Sequence, residues 1–101
     1  MEIGLLYFEG CPNWQLADAR LREALRAVGD ATTPGTYRTV GNPDEAERLR
    51  FRESPTILAS GRDRFARPGD RVGLACRLYP GAGGGLSPAV QQIQAVLADA
   101  A

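Results

Sequence analysis

Histidine and lysine are both absent from this chain of 101 residues, and cysteine occurs only twice. Each gap removes a class of chemistry. Without histidine there is no Ser-His or Cys-His catalysis and no His-based zinc site. Two cysteines are too few for the disulfide framework of a small secreted domain. No apolar run approaches the roughly 20 residues of a membrane span, and the N-terminus carries neither a basic segment nor a signal-like apolar stretch. The expectation is a cytoplasmic protein with no membrane partner. With lysine missing, all twelve cations are arginines, balanced by twelve acids and spread along the whole chain. No basic stripe marks a nucleic-acid partner. The all-arginine, Ala- and Gly-rich composition points to a GC-rich genome, a matter of source and not of function. Chemistry is left to thiols, carboxylates, arginines and backbone amides.

What is present is an ordinary globular composition, 44% apolar and 24% charged, at a length that suits one domain, residues 1–101. In Tyr7-Phe8-Glu9-Gly10-Cys11-Pro12-Asn13-Trp14 the chain passes from one periodicity to another. Ile3 to Phe8 is apolar at nearly every position, the pattern of a central strand covered on both faces. From Pro12 onward Trp14, Ala17, Leu21, Ala24, Leu25 and Val28 recur at helical spacing, and Gly29 ends a helix of about 17 residues. Cys11 then lies at a helix N-terminus, where free N–H groups and the positive end of the dipole favour a thiolate. Pro12 suits the first helical position, since its missing N–H forfeits no bond there. Cys11 is thus a candidate nucleophile, against the plainer alternative of a small buried hydrophobe.

Further along, Tyr37 to Val40 predicts a short strand on a crossover from the first. Asn42-Pro43-Asp44-Glu45 opens a second helix, with a cap residue, a proline in the first turn and acids near its N-terminus. Glu53 to Ala59 reads as a strand entered at Pro55. Residues 60–71 form a charged connection, read as solvated, whose arginines can otherwise meet an acidic substrate. Val72 to Tyr79 predicts another strand, with Leu74, Cys76 and Leu78 on one face and Ala75, Arg77 and Tyr79 on the other. Arg77 and Tyr79, nearer the strand end, are read as surface residues, with bordering of the site as the alternative. Gly81 to Gly85 reads as a hinge, and Ser87-Pro88 as the cap of a last helix lined by Leu86, Val90, Ile93 and Leu97.

The resulting order, β-α-β-α-β-β-α, resembles a minimal thioredoxin-like α/β fold with a four-stranded mixed sheet and helices on both faces. Cys11-Pro12-Asn13-Trp14 after the first strand, Ser54-Pro55-Thr56 before the third, and the terminal β-β-α carry that resemblance. It is also similar to small bacterial thioredoxin-like proteins, some labelled alkylmercury-lyase-like. The resemblance implies that Cys11 is the nucleophile, that Pro55 is a cis-proline facing it, and that residues 54–56 lie beside the substrate sulfur. Trp14 stands where redox-active members of the family carry their second cysteine, so Cys11 is read as a lone thiolate. Trp14 shields the thiol or borders a substrate groove together with Pro12.

Cys76 has two readings, a core cysteine beside Leu74 and Leu78, or a resolving or metal-sharing thiol. In the expected sheet it is separated from Cys11 by two strand spacings, about 9–10 Å, whereas a disulfide needs Cα atoms within about 7 Å. The leading expectation is thiol–disulfide exchange or thiol transfer with a protein or low-molecular-weight thiol or disulfide, and no cofactor. One alternative is soft-metal binding, of mercury or copper, by Cys11 and Cys76. Another is a redox-inactive binding module. Turnover as an oxidoreductase and oligomeric state stay open.

Overall fold

The apolar strand Ile3–Tyr7 (β1) sets the layers of the computed structural model, which describes residues 2–29, 33, 35–79 and 85–100. Ile3 and Leu5 point to one side, where Ala17, Leu21, Ala24 and Leu25 of Asn13–Ala27 (α1) meet Ile93 and Leu97 of Val90–Ala100 (α3). Leu6 points to the other, against Val40, Phe51 and Ala46, the last in Pro43–Leu49 (α2). Helices therefore cover both faces, as the unbroken apolar run of β1 requires.

The sheet is smaller than expected and is followed by a second. Gly35–Thr39 (β2) pairs parallel with β1, and Thr56–Ala59 (β4) pairs antiparallel on its other edge, in the order β2-β1-β4. Arg52–Ser54 (β3) and Gly73–Cys76 (β5) form a separate parallel pair. The expected four-stranded mixed sheet is thus replaced by three strands plus two. Two local features account for the difference. The run from Glu53 to Ala59 is divided at Pro55, whose peptide bond with Ser54 is cis, and its halves join different sheets. The expected Val72–Tyr79 strand keeps its ladder only from Gly73 to Cys76, alongside β3 and not β4. Beyond Cys76 the chain meets the start of β4 through side chains, the Tyr79 hydroxyl donating to Pro55 O and Arg77 Nη1 to Thr56 Oγ1 at 3.3 Å.

Helix ends follow local chemistry. Asn42 caps α2, its Oδ1 accepting from Glu45 N at 2.8 Å while Glu45 Oε1 accepts from Gly41 N at 3.1 Å. Pro12 is the N-cap of α1, one position ahead of its expected place, and Gly29 follows the helix at φ +83°. α3 begins at Val90, later than Ser87-Pro88 suggested. Ser87 Oγ turns to Pro88 O at 2.9 Å, and Gln92 Oε1 instead accepts from Ala89 N at 2.7 Å. The hinge expected at Gly81 to Gly85 lies outside the described residues except for Gly85. Among the described residues no helix is long and apolar enough to cross a membrane.

Phe51 is fully buried at the centre of the face covered by α2. Its replacement by alanine leaves a cavity beneath α2 and is expected to lower stability by about 3–4 kcal/mol, measured by urea denaturation.

Candidate functional site

Cys11 is held by the turn that leads out of β1. Its N–H donates to Phe8 O at 2.9 Å, closing the reversal ahead of Pro12. Gly10 permits the close path, because a Cβ there would fall 2.6 Å from the Phe8 ring. The Cys11 side chain is fully buried, with Sγ 3.7 Å from the carbonyl oxygen of Ser54. On the helix side Trp14 stacks on Tyr7, ring centroids 4.4 Å apart.

Cys76 reaches the same point from the opposite end of the chain. The two sulfurs lie 2.6 Å apart, both cysteines are free, and Cys76 is the exposed one of the pair. The separation expected from the sequence does not hold, for two reasons. β5 runs beside β3 and not beyond β4, and its register slips: Arg52 is opposite Gly73, but Ser54 is opposite Cys76. Leu74 and Ala75 thus oppose the single residue Glu53, a bulge that breaks the two-residue alternation. Leu74 packs on the Phe51 cluster, Leu78 is 73% exposed, and Cys76 turns to Cys11. The core-cysteine reading of Cys76 is thereby displaced. Glu53, at φ +72°, occupies a region that side chains seldom adopt. The Cys76 thiol donates to Cys11 Sγ, and that bond, with burial and the proximity of Cys11 and Glu53, pushes it up to about 11.

Behind Cys76 is a buried polar network where the sequence suggested surface residues. Arg77 is only 6% exposed; its Nη1 lies 2.8 Å from Asp63 Oδ2, and its guanidinium stands 4.6 Å over the ring of Tyr79. Asp70 Oδ2 lies 3.9 Å from Arg77 Nη2. Tyr79 is buried too, and desolvation raises its hydroxyl above the usual phenol range, keeping it a donor to Pro55 O. The connection 60–71 is therefore anchored to the site by Asp63 and Asp70. No local pattern in the sequence signals this network, because Asp63 and Asp70 meet Arg77 only through the fold.

Of the residues singled out from the sequence, Cys11, Cys76, Ser54, Pro55 and Thr56 come together. Ser54 is fully buried, its Oγ accepting from Phe8 N at 3.1 Å and its carbonyl from Arg77 N at 2.7 Å. Thr56 Oγ1 donates to Glu53 O at 2.8 Å. Pro12, exposed, and Trp14, half-buried, stand on the helix side. Among the described residues no three cysteine or acidic side chains are grouped as a metal site. Compared with protein-family models, curated proteins and solved structures, the chain matches none.

Replacing Asp63 by Ala leaves the buried Arg77 without its closest counter-charge. A loss of about 3 kcal/mol is expected in urea denaturation, well above the effect of removing an exposed pair such as Arg22–Asp18.

Proposed function

We propose that the chain is a thioredoxin-like thiol–disulfide exchange protein whose working couple is Cys11 and Cys76. The observation that carries this reading is the 2.6 Å approach of two sulfurs 65 positions apart in sequence. Sulfurs brought this close are within reach of a disulfide bond. The trans-chain partner takes the role of the second motif cysteine that Trp14 replaces.

On this reading the difference in exposure gives the two sulfurs different tasks. Cys76 faces solvent and forms the mixed disulfide with substrate, whereas buried Cys11 is the internal partner. In the oxidised couple a substrate thiolate attacks Cys76 Sγ, the S–S bond breaks, and Cys11 leaves with the electron pair as a thiolate at the start of α1. In reverse, the Cys11 thiolate attacks Cys76 Sγ of the mixed disulfide and expels the substrate thiolate. This shifts the first contact with substrate from Cys11 to Cys76. The carbonyls of Ser54 and Pro55 already accept from Arg77 N and the Tyr79 hydroxyl, so residues 54–56 serve as the floor of the site. Soft-metal capture asks more of the same pair: a linear two-sulfur site spans about 5 Å, so the sulfurs would have to part by about 2 Å.

Oxidation of the purified protein is expected to remove two hydrogens per chain by intact mass, with the Cys11–Cys76 peptide recovered. Oxidation of a peptide dithiol by that form is expected to vanish in Cys11→Ser and in Cys76→Ser. A pair that remains reduced under mild oxidant overturns the reading. For the reduced protein, peptide-resolved alkylation of Cys76 is expected to rise through a midpoint near pH 11. In Cys11→Ser, where the largest cause of the shift is gone, the midpoint falls toward the ordinary thiol value of about 8.5.

A further inference from the structure

Cys76 forms part of the wall of a cleft of about 660 Å³, bounded by β5 and the 60–71 connection, a volume within the range of roughly 300–1,000 Å³ typical of small-molecule sites. Its charged lining is uneven. Arg52, Arg67, Arg71 and Arg77 face it, against Glu53 and Asp70. Arg77 is neutralised by Asp63, and Arg52 lies 4.0 Å from the same carboxylate. Asp70 Oδ2 accepts from the backbone N–H of Arg67 at 2.7 Å and lies near Arg77, so it is turned to the loop itself. Among the described residues neither Arg67 nor Arg71 has a carboxylate within ion-pair distance. Two guanidinium groups without a carboxylate partner therefore line the same cleft as the exposed sulfur, outnumbering Glu53, whose charge acts on Cys76, and a guanidinium binds carboxylates through paired hydrogen bonds.

We infer that this cleft binds a small thiol bearing carboxylate groups and directs its sulfur onto Cys76. The inference rests on Cys11 and Cys76 acting as a redox couple. Positive charge in a cleft concentrates the anion and raises the thiolate fraction of the substrate beside it. The first thiolate attacks Cys76 Sγ of the oxidised protein, forming the Cys76–substrate S–S bond and releasing Cys11 as thiolate. A second thiolate attacks the substrate sulfur of that bond, forming the substrate disulfide and releasing Cys76 as thiolate. The protein disulfide gains two electrons, two substrate thiols lose them, and the two protons given up by the substrate thiols pass to the protein thiolates through solvent.

The test is reduction of the oxidised protein by 3-mercaptopropionate, 2-mercaptoethanol and cysteamine, which differ in charge at similar size. Each rate is divided by the rate of the same thiol with bis(2-hydroxyethyl) disulfide, which removes intrinsic reactivity. At low ionic strength 3-mercaptopropionate is expected to lead 2-mercaptoethanol by about tenfold, with cysteamine slowest, the preference shrinking in 0.5 M salt as a screened attraction must. In the double variant Arg67→Gln, Arg71→Gln the ratio of anionic to neutral rates is expected to collapse toward one. A ratio near one in the wild type, or one that the double variant leaves unmoved, overturns the inference while leaving the redox couple standing. Failure of the Cys11–Cys76 disulfide to form defeats both readings, and the intact mass of the starting material separates the two cases.

Discussion

Ser54 is the point on which the site depends. Its hydroxyl accepts from Phe8 N, its carbonyl accepts from Arg77 N and touches Cys11 Sγ, and its Cα stands opposite Cys76 in the β3–β5 register. One fully buried serine thus ties together the turn that carries the first thiol and the strand that carries the second. The side chain must be small to sit between them and polar to satisfy the Phe8 amide. An unpaired buried amide costs about 1–3 kcal/mol, which makes alanine a poor substitute despite its size.

The Arg77–Asp63 pair holds the same corner from behind. Burying two charges opposes folding unless each is paired and hydrogen-bonded, and here Thr56, Asp70 and the Tyr79 ring complete the environment of the guanidinium. The chain leaves β4, passes through Asp63 and Asp70, and returns as β5 with Arg77 immediately after Cys76. A charged connection that the sequence suggests is solvated is instead drawn against the strand whose cysteine it supports. Tyr79 and Phe65 meet edge to face at 5.5 Å, closing the apolar side of that corner.

How far the structure could be read in advance varied with the range of the contacts involved. The two covered sides of β1, a helix opening near Pro12, the Asn42 cap and a strand near Tyr37 follow from periodicity and capping residues, because those preferences act within a few positions; the helix and strand found, Asn13–Ala27 and Gly35–Thr39, differ from the expected ones by one to two residues at their ends. The approach of Cys11 to Cys76 does not. Strand alternation assigned Cys76 to the face of Leu74, and only the register slip opposite Glu53 places the two residues out of phase. That slip depends on which strand β5 joins, a tertiary choice no local pattern records. Arg77 and Tyr79 looked like surface residues for the same reason: their partners are Asp63, Thr56 and Pro55, brought near by the fold.

The separation of the two cysteines along the chain bears on folding as well as on chemistry. A bond between positions 11 and 76 would gather α1, β2, α2, β3, β4 and β5 into one covalent ring, leaving β1 and α3 as its free arms. Closing a ring of that size removes conformational freedom from the denatured ensemble worth about 4 kcal/mol on the chain-entropy account. The tenacity of the native state and the oxidation state of the sulfurs would then be thermodynamically linked, each leaving its mark on the other.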